Sequence, residues 1–316
     1  MTGQFIRTLS GDAAPSGLGF TLVHEHAYFD FAAVTGDAEL SFVDEPAILT
    51  DLSEAKRLGA DALVEVSTHD MGAAPQRVAD LCRAAGLQVV KSTGWFRSPS
   101  VDAFVVASSP DELATRLIDD IRVGFAGTTL RAGVIGEVGL SRSTPTRAES
   151  AALDATAAAA VATGAGVVAH SDDWDNACAI LDELTSRGVD RERIMLAHCR
   201  TADPAGGLQE LAESGVTLAF DQLGHRGRDS IVSVAERIVE LFSRGCGTHL
   251  TVSADVGRTS RLRSAGGSGY ISGVRALLAE LAARGIDETA LDGLTRSTPG
   301  RFLAFSNASS TATATA

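Results

Sequence analysis

The chain has 316 residues, 45% of them hydrophobic, and a formal net charge of −13 with a pI near 4.9. That length can bury a sizeable core and only modestly exceeds the ~250 residues of one (β/α)8 barrel, so one large domain is expected. So acidic a surface repels nucleic acid and anionic membranes, which leaves a small molecule as the expected partner.

The N-terminal MTGQFIRTLSGD has no basic segment followed by a long apolar run. No later stretch approaches the ~18 apolar residues of a membrane span, and a cytoplasmic protein is expected. The cysteines Cys82, Cys178, Cys199 and Cys246 are far apart and form no CxxC pair, so they read as buried thiols rather than as a zinc knuckle or disulfide framework. Cys199, next to His198, could also shape a pocket wall.

Along the chain, short apolar runs alternate with helical periodicity. The first run, 20–23, leads into His24-Glu25-His26 and is followed by the helical pattern EPAILTDLSEAKRLG. A second run, 62–66, precedes His69 and Asp70 and the pattern PQRVADLCRAAG. The third, 87–90, ends at Lys91 and precedes Trp95 and PDELATRLIDDIRVG. The fourth, 131–135, runs into Glu137 and RAESAALDATAAAAVATG; the fifth, 166–169, runs into His170 and NACAILDELTSRG. The sixth, 194–197, meets His198 and precedes GLQELAESG, while the seventh, 216–220, meets Asp221 and precedes SIVSVAERIVELFSRG. The eighth, 249–253, leads to Asp255, the glycine-rich RSAGGSGY and a helix over 271–284. Several helical patterns stop at glycine, as helices leaving through a left-handed residue do. Eight such units predict a (β/α)8 TIM barrel over residues 1–306. The small, polar, repetitive residues 307–316 read as a disordered tail.

In such a barrel the chemistry lies at the C-terminal ends of the strands. There the sequence delivers His24, His26, Glu137, His170, His198 and Asp255. In an extended segment His24 and His26 point the same way and can address one ion. Singly each signal is weak; together, five of eight predicted strands supply a ligand type to one rim. Six ligands exceed what one catalytic zinc takes, so two divalent ions are expected, with Glu137 as the bridging carboxylate. Mixed imidazole and carboxylate ligation suits zinc first, with manganese, cobalt or iron as alternatives.

Other positions admit two readings. Asp221 could orient a ligand histidine or cap a helix. Lys91 could contact substrate at the rim or reach solvent, and Trp95 could wall the pocket or pack. His225, in a basic loop, and His249, at the start of a strand, are not expected to bind metal.

LVHEH, LRAGVIGEVGLS, GVVAHSDD, RIMLAHCR, LTVSADVGR and STPGRFLAF, in this order across residues 17 to 306, resemble the sequence blocks of the phosphotriesterase family of the amidohydrolase superfamily. The resemblance implies a binuclear metal centre on His24, His26, His170, His198 and Asp255, and a possible homodimer. The founding members carry a carbamylated lysine where this chain has Gly136, whereas other members place a glutamate one residue later, as here at Glu137. That difference weakens the case for native triesterase activity.

DVGRTSRLRSAGGSGY, residues 255–270, is similar to a segment of members that open sugar lactones, some phosphorylated. By that likeness Arg258 is a candidate substrate contact. Arg226 of the GHRGR loop, which also holds His225 and Arg228, would act with it, and Arg261 stands where an aromatic is expected. The resemblance thus implies a lactonase in which a metal-activated hydroxide attacks a lactone carbonyl and Asp255 is the general acid/base. Alternatives at the same site are a phosphotriesterase, an acyl-homoserine lactonase or an amide hydrolase. A mononuclear site and a non-catalytic binding barrel are further alternatives, the last disfavoured because every ligand type is present.

Overall fold

The computed structural model describes residues 4–225 and 230–305. Its centre is an eight-stranded parallel sheet: β1 (Thr21–Glu25), β2 (Ala62–Glu65), β3 (Gln88–Thr93), β4 (Val134–Val138), β5 (Val167–Ala169), β6 (Ile194–Leu196), β7 (Thr217–Phe220) and β8 (Leu250–Val252). Each strand pairs with the next in sequence. The seam between first and last closes where the Asp255 N–H donates to the His24 carbonyl at 3.1 Å and the His24 N–H donates to Ser253 Oγ at 3.1 Å. The expected (β/α)8 barrel is the observed fold.

Alternation along the strands builds two cores. Val64, Val90, Val134 and Val168 belong to an inner cluster, while Leu63, Val89, Ile135 and Val167 belong to the layer beneath the helices. Strands buried on both faces need apolar residues on both parities, which is why they read as continuous runs. Phe302 and Leu303, from the short helix Thr298–Leu303, join the inner cluster. A Cβ on Gly166 would stand 2.9 Å from the Phe302 ring, so this close approach requires glycine there.

The covering helices are α1 (Glu45–Arg57), α2 (Pro75–Ala85), α3 (Pro110–Arg122), α4 (Arg147–Thr163), α5 (Trp174–Ser186), α6 (Ala205–Glu213), α7 (Ile231–Ser243) and α8 (Ser272–Ala283). Capping boxes start α3 (Ser109 with Glu112) and α4 (Thr146 with Glu149), and left-handed glycines, Gly86 and Gly164, end α2 and α4. No helix among the described residues is long and apolar enough to cross a membrane.

Three strand limits differ from expectation by more than a residue: β3 runs on through Lys91 to Thr93. β1 extends through His24 to Glu25, and β4 is shifted to Val134–Val138, so that Glu137 lies within the strand rather than after it. Register shifts between Leu22 and Glu25 and between Ile135 and Val138 place irregularities at these candidate ligand positions, where a bulge re-aims side chains. An antiparallel hairpin, Ile6–Thr8 with Gly11–Ala13, and a two-residue ladder, Phe29–Asp30 with Ser41–Phe42, were not anticipated. Residues 307–316, Arg226 and Arg228 lie outside the described residues.

Candidate metal centre

The ends of five strands bring His24, His26, Glu137, His170, His198 and Asp255 into one cluster. Around Glu137 stand His26 Nε2 at 3.6 Å from Oε1, His24 Nε2 at 3.5 Å from Oε2, His170 Nδ1 at 2.7 Å and His198 Nε2 at 3.7 Å from Oε2. Asp255 Oδ1 lies 3.6 Å from His26 Nε2 and 4.0 Å from His24 Nε2. Two tight triads, His24–His26–Glu137 and Glu137–His170–His198, share Glu137.

The other nitrogen of each histidine is tied back to a partner. His198 Nδ1 donates to Asp221 Oδ1 at 2.8 Å, and His24 Nδ1 stands 3.0 Å from Asp221 Oδ2, close enough to pair though not aligned as a hydrogen bond. His26 Nδ1 donates to Ser67 Oγ at 2.9 Å, which must accept because that hydroxyl itself donates to Glu65. His170 Nε2 donates to Asp172 Oδ1 at 3.2 Å, and Asp172 is held by Arg97. These partners fix the tautomers, so the four inward nitrogens present lone pairs to one another and to a carboxylate. His24 Nε2 is buried with no hydrogen-bond partner, and His198 Nε2 faces His170 Nδ1 at 3.0 Å. Such facing acceptors require shared positive charge, and divalent ions supply it with the donor types present.

The electrostatics agree. Burial alone would lower the His198 imidazole, yet the Asp221 and Glu137 carboxylates push it up to about 9; His24 is likewise raised, against its burial, by Asp221 and Glu137. Burial would raise Glu137, but His170 and His24 hold it well below the usual range. His198 (φ +62°) and Asp255 (φ +53°) adopt left-handed backbone, uncommon away from glycine and concentrated at functional positions. Gly136 has φ +111°, and a Cβ there would stand 2.3 Å from the Val168 carbonyl. The lysine of the founding members has no room at this position.

Asp221 thus orients two histidines rather than capping a helix; it is fully buried and also accepts the His198 N–H at 3.0 Å. Lys91 requires a correction. It shares the parity of Val89 and faces the helices, fully buried, with its ammonium 2.8 Å from Glu65 and donating to the Ser67 and Ser92 carbonyls. It holds the segment just after β2 that carries Ser67, and it has no surface open to the rim.

Arg258 and Arg261 do converge, with His225 and Ser268, on a cavity of about 710 Å³. Arg261 donates to Asp255 Oδ2 at 3.0 Å, whereas Arg258 pairs with Asp37. Trp95 packs beside His69 and Phe104 and is buried. His69 Nε2 donates to Asp120 at 2.7 Å, Asp70 accepts from Phe96 N–H and Ser100, and His249 lies at the opposite end of the barrel, before β8. Cys199 is buried, and burial drives its thiol well above its usual value. Ser67, Asp172, Arg97 and Gln222, whose Nε2 donates to Asp255 Oδ2 at 3.1 Å, were missed. Asp172 alone had a signal: a carboxylate two residues after the candidate ligand His170, just past the end of a strand.

Residues 4–303 match the sequence profile described as "Phosphotriesterase family". The phosphotriesterase homology protein of Escherichia coli is 28% identical over 287 residues, covering 90% of this chain and 97% of that protein. Its crystal structure, with phosphate in the active site, superposes with a TM-score of 0.85. The N-acetyltaurine hydrolase of Homo sapiens is 26% identical over 95% of this chain and 98% of its own length. A variant of a PTE-like lactonase from Deinococcus radiodurans is 25% identical, with a TM-score of 0.81 over 94% of this chain and 99% of that one.

Proposed function

The chain belongs to the phosphotriesterase family, and from that premise we propose that it is a binuclear metal-dependent hydrolase that opens a small lactone. The observation that carries the metal assignment is the arrangement of four histidines, each with one nitrogen tied back and the other turned to Glu137. His24, His26 and Asp255 would hold one ion, His170 and His198 the other, and Glu137 would bridge them. Zinc is the first expectation for both. When bound, such a pair supplies Lewis acidity toward a carbonyl and lowers the pKa of water.

The chain's own residues then define the proton path. Burial would raise the Asp255 carboxyl, but His26, His198 and Arg261 outweigh it and keep it ionised. One oxygen faces the histidines; the other is held by Gln222 and by Arg261, which itself lines the cavity it shares with Arg258. A carboxylate so placed can take the proton of the attacking water and return it to the leaving alkoxide of the opened ring. Arg261 and Arg258 line the space where a polar substrate group would sit, and a sugar or phosphorylated lactone fits that chemistry. The PTE-like lactonase supports this reading. The similarity to an N-acetyltaurine hydrolase favours amide hydrolysis by the same site as the second reading.

The test is a panel of simple, sugar, phosphorylated and acyl-homoserine lactones, with N-acyl amides and phosphotriesters alongside, offered to metal-reconstituted protein and to its Asp255→Asn variant. Asp255-dependent opening of a polar lactone is the expected result. Silence on every lactone with turnover of an amide or triester would refute it.

A further inference from the structure

At the other end of the barrel, where β6, β7 and β8 begin, lies a second cavity of about 710 Å³. It is lined by residues that the hydrolytic site does not use, among them Arg191, Arg193, His249 and Arg301, with Asp190 and Glu192. Three guanidinium groups against two carboxylates make it locally basic, in a chain whose net charge is −13.

Arg193 is its distinctive member. Nη1 donates to the Ala304 carbonyl at 3.0 Å, but Nε and Nη2 are buried with no hydrogen-bond partner. These two nitrogens form one edge of the guanidinium, the fork whose parallel N–H groups match two oxygens of a phosphate or carboxylate. His249 Nδ1 is also buried without a partner, and Arg301, which donates to the Thr248 carbonyl, brings a second charge into the same cavity. Asp190 and Glu192 lie near enough to act on the Arg193 charge, yet neither forms an ion pair with it among those of the described residues. Leaving a buried charged donor unmatched is costly, and an oxyanion satisfies both N–H groups at once.

We propose that this cavity is an oxyanion-binding site, separate from the metal centre, in which Arg193 turns its unmatched, buried Nε–Nη2 edge toward the cavity and grips a phosphate group bidentately with Arg301 and His249 beside it. The group could arrive as free phosphate or on a phosphorylated metabolite. Either would bind the folded chain only and would stabilise the end of the barrel opposite the hydrolytic site.

The test counts phosphates bound to the metal-loaded protein by titration calorimetry. The wild type should bind one more inorganic phosphate per chain than Arg193→Lys, which keeps the charge and a donor for Ala304 but loses the fork, or should bind that phosphate at least ~10-fold more tightly. Hydrolytic turnover should be equal in the two proteins. If Arg193→Lys does not fold, Arg301→Gln should weaken the same phosphate by ~10-fold. Methyl phosphate separates the sources: binding equal to inorganic phosphate marks a phosphomonoester site, and exclusion marks a free-ion site. Equal phosphate number and affinity in wild type and variant would overturn the proposal. Because the readout is the difference between the two proteins, it stands whether or not phosphate also binds at the metal centre.

Discussion

Replacing Asp221 with asparagine tests the arrangement of the histidines without altering any inward-facing ligand. The carboxylate meets His198 Nδ1 at 2.8 Å and His24 Nδ1 at 3.0 Å, and it accepts the N–H of His198, whose backbone is left-handed. An amide of the same shape keeps one acceptor oxygen and turns an NH2 group toward the other imidazole, so one histidine loses its orienting partner. A hydrogen bond to a charged group is worth ~1.5–3 kcal/mol, and loss of such an outer partner lowers metal affinity by ~10–100-fold. His24 belongs to one proposed ion site and His198 to the other, so either site can weaken. Chelator competition should show at least one of two metals bound ~10–100-fold more weakly, and excess metal should restore part of the turnover. Wild-type affinity for both metals in a folded Asp221→Asn protein would refute the claim that this carboxylate sets the tautomers.

Glu137→Ala should lose the second metal and hydrolysis together, as read by metal content after dialysis and by turnover. Metal affinity should rise from about pH 6 to about pH 9, since binding must displace protons from imidazoles such as His198, raised to about 9; a chelator titration across that range checks it. Stability of the metal-free protein should run the other way. The His198 contribution is fully present below the ordinary histidine value near ~6.5 and is lost as pH rises through about 9, which melting curves will show. Lys91→Met leaves Glu65 buried and unpaired and should cost ~3–5 kcal/mol in denaturant unfolding. Gly136→Ala should be at least as damaging, because its Cβ would press on the Val168 carbonyl.

The barrel was legible because parallel strands buried on both faces leave unbroken apolar runs, and all eight runs became strands. The residues of the candidate metal centre were legible because they follow those runs, but the limits were not: His24 and Glu137 are polar yet extended, and polarity at a strand end imitates a loop. Lys91 misled for the same reason. At the end of an apolar run it reads as a rim residue, and only pairing with Glu65 across the β2–β3 register reveals it as buried. Ser67, Arg97 and Gln222 act through neighbours distant in sequence, so nothing local marked them. The cavity around Arg193 was equally hidden, because an arginine before a strand carries no sign of which of its nitrogens the fold leaves unmatched.

If one glutamate joins two ion sites, metal content and hydrolysis must fall together when it is removed. Wild type dialysed against zinc and then against buffer should retain two ions per chain and open a lactone, and Glu137→Ala should retain at most one and be inactive. Two ions and wild-type turnover in Glu137→Ala would contradict it.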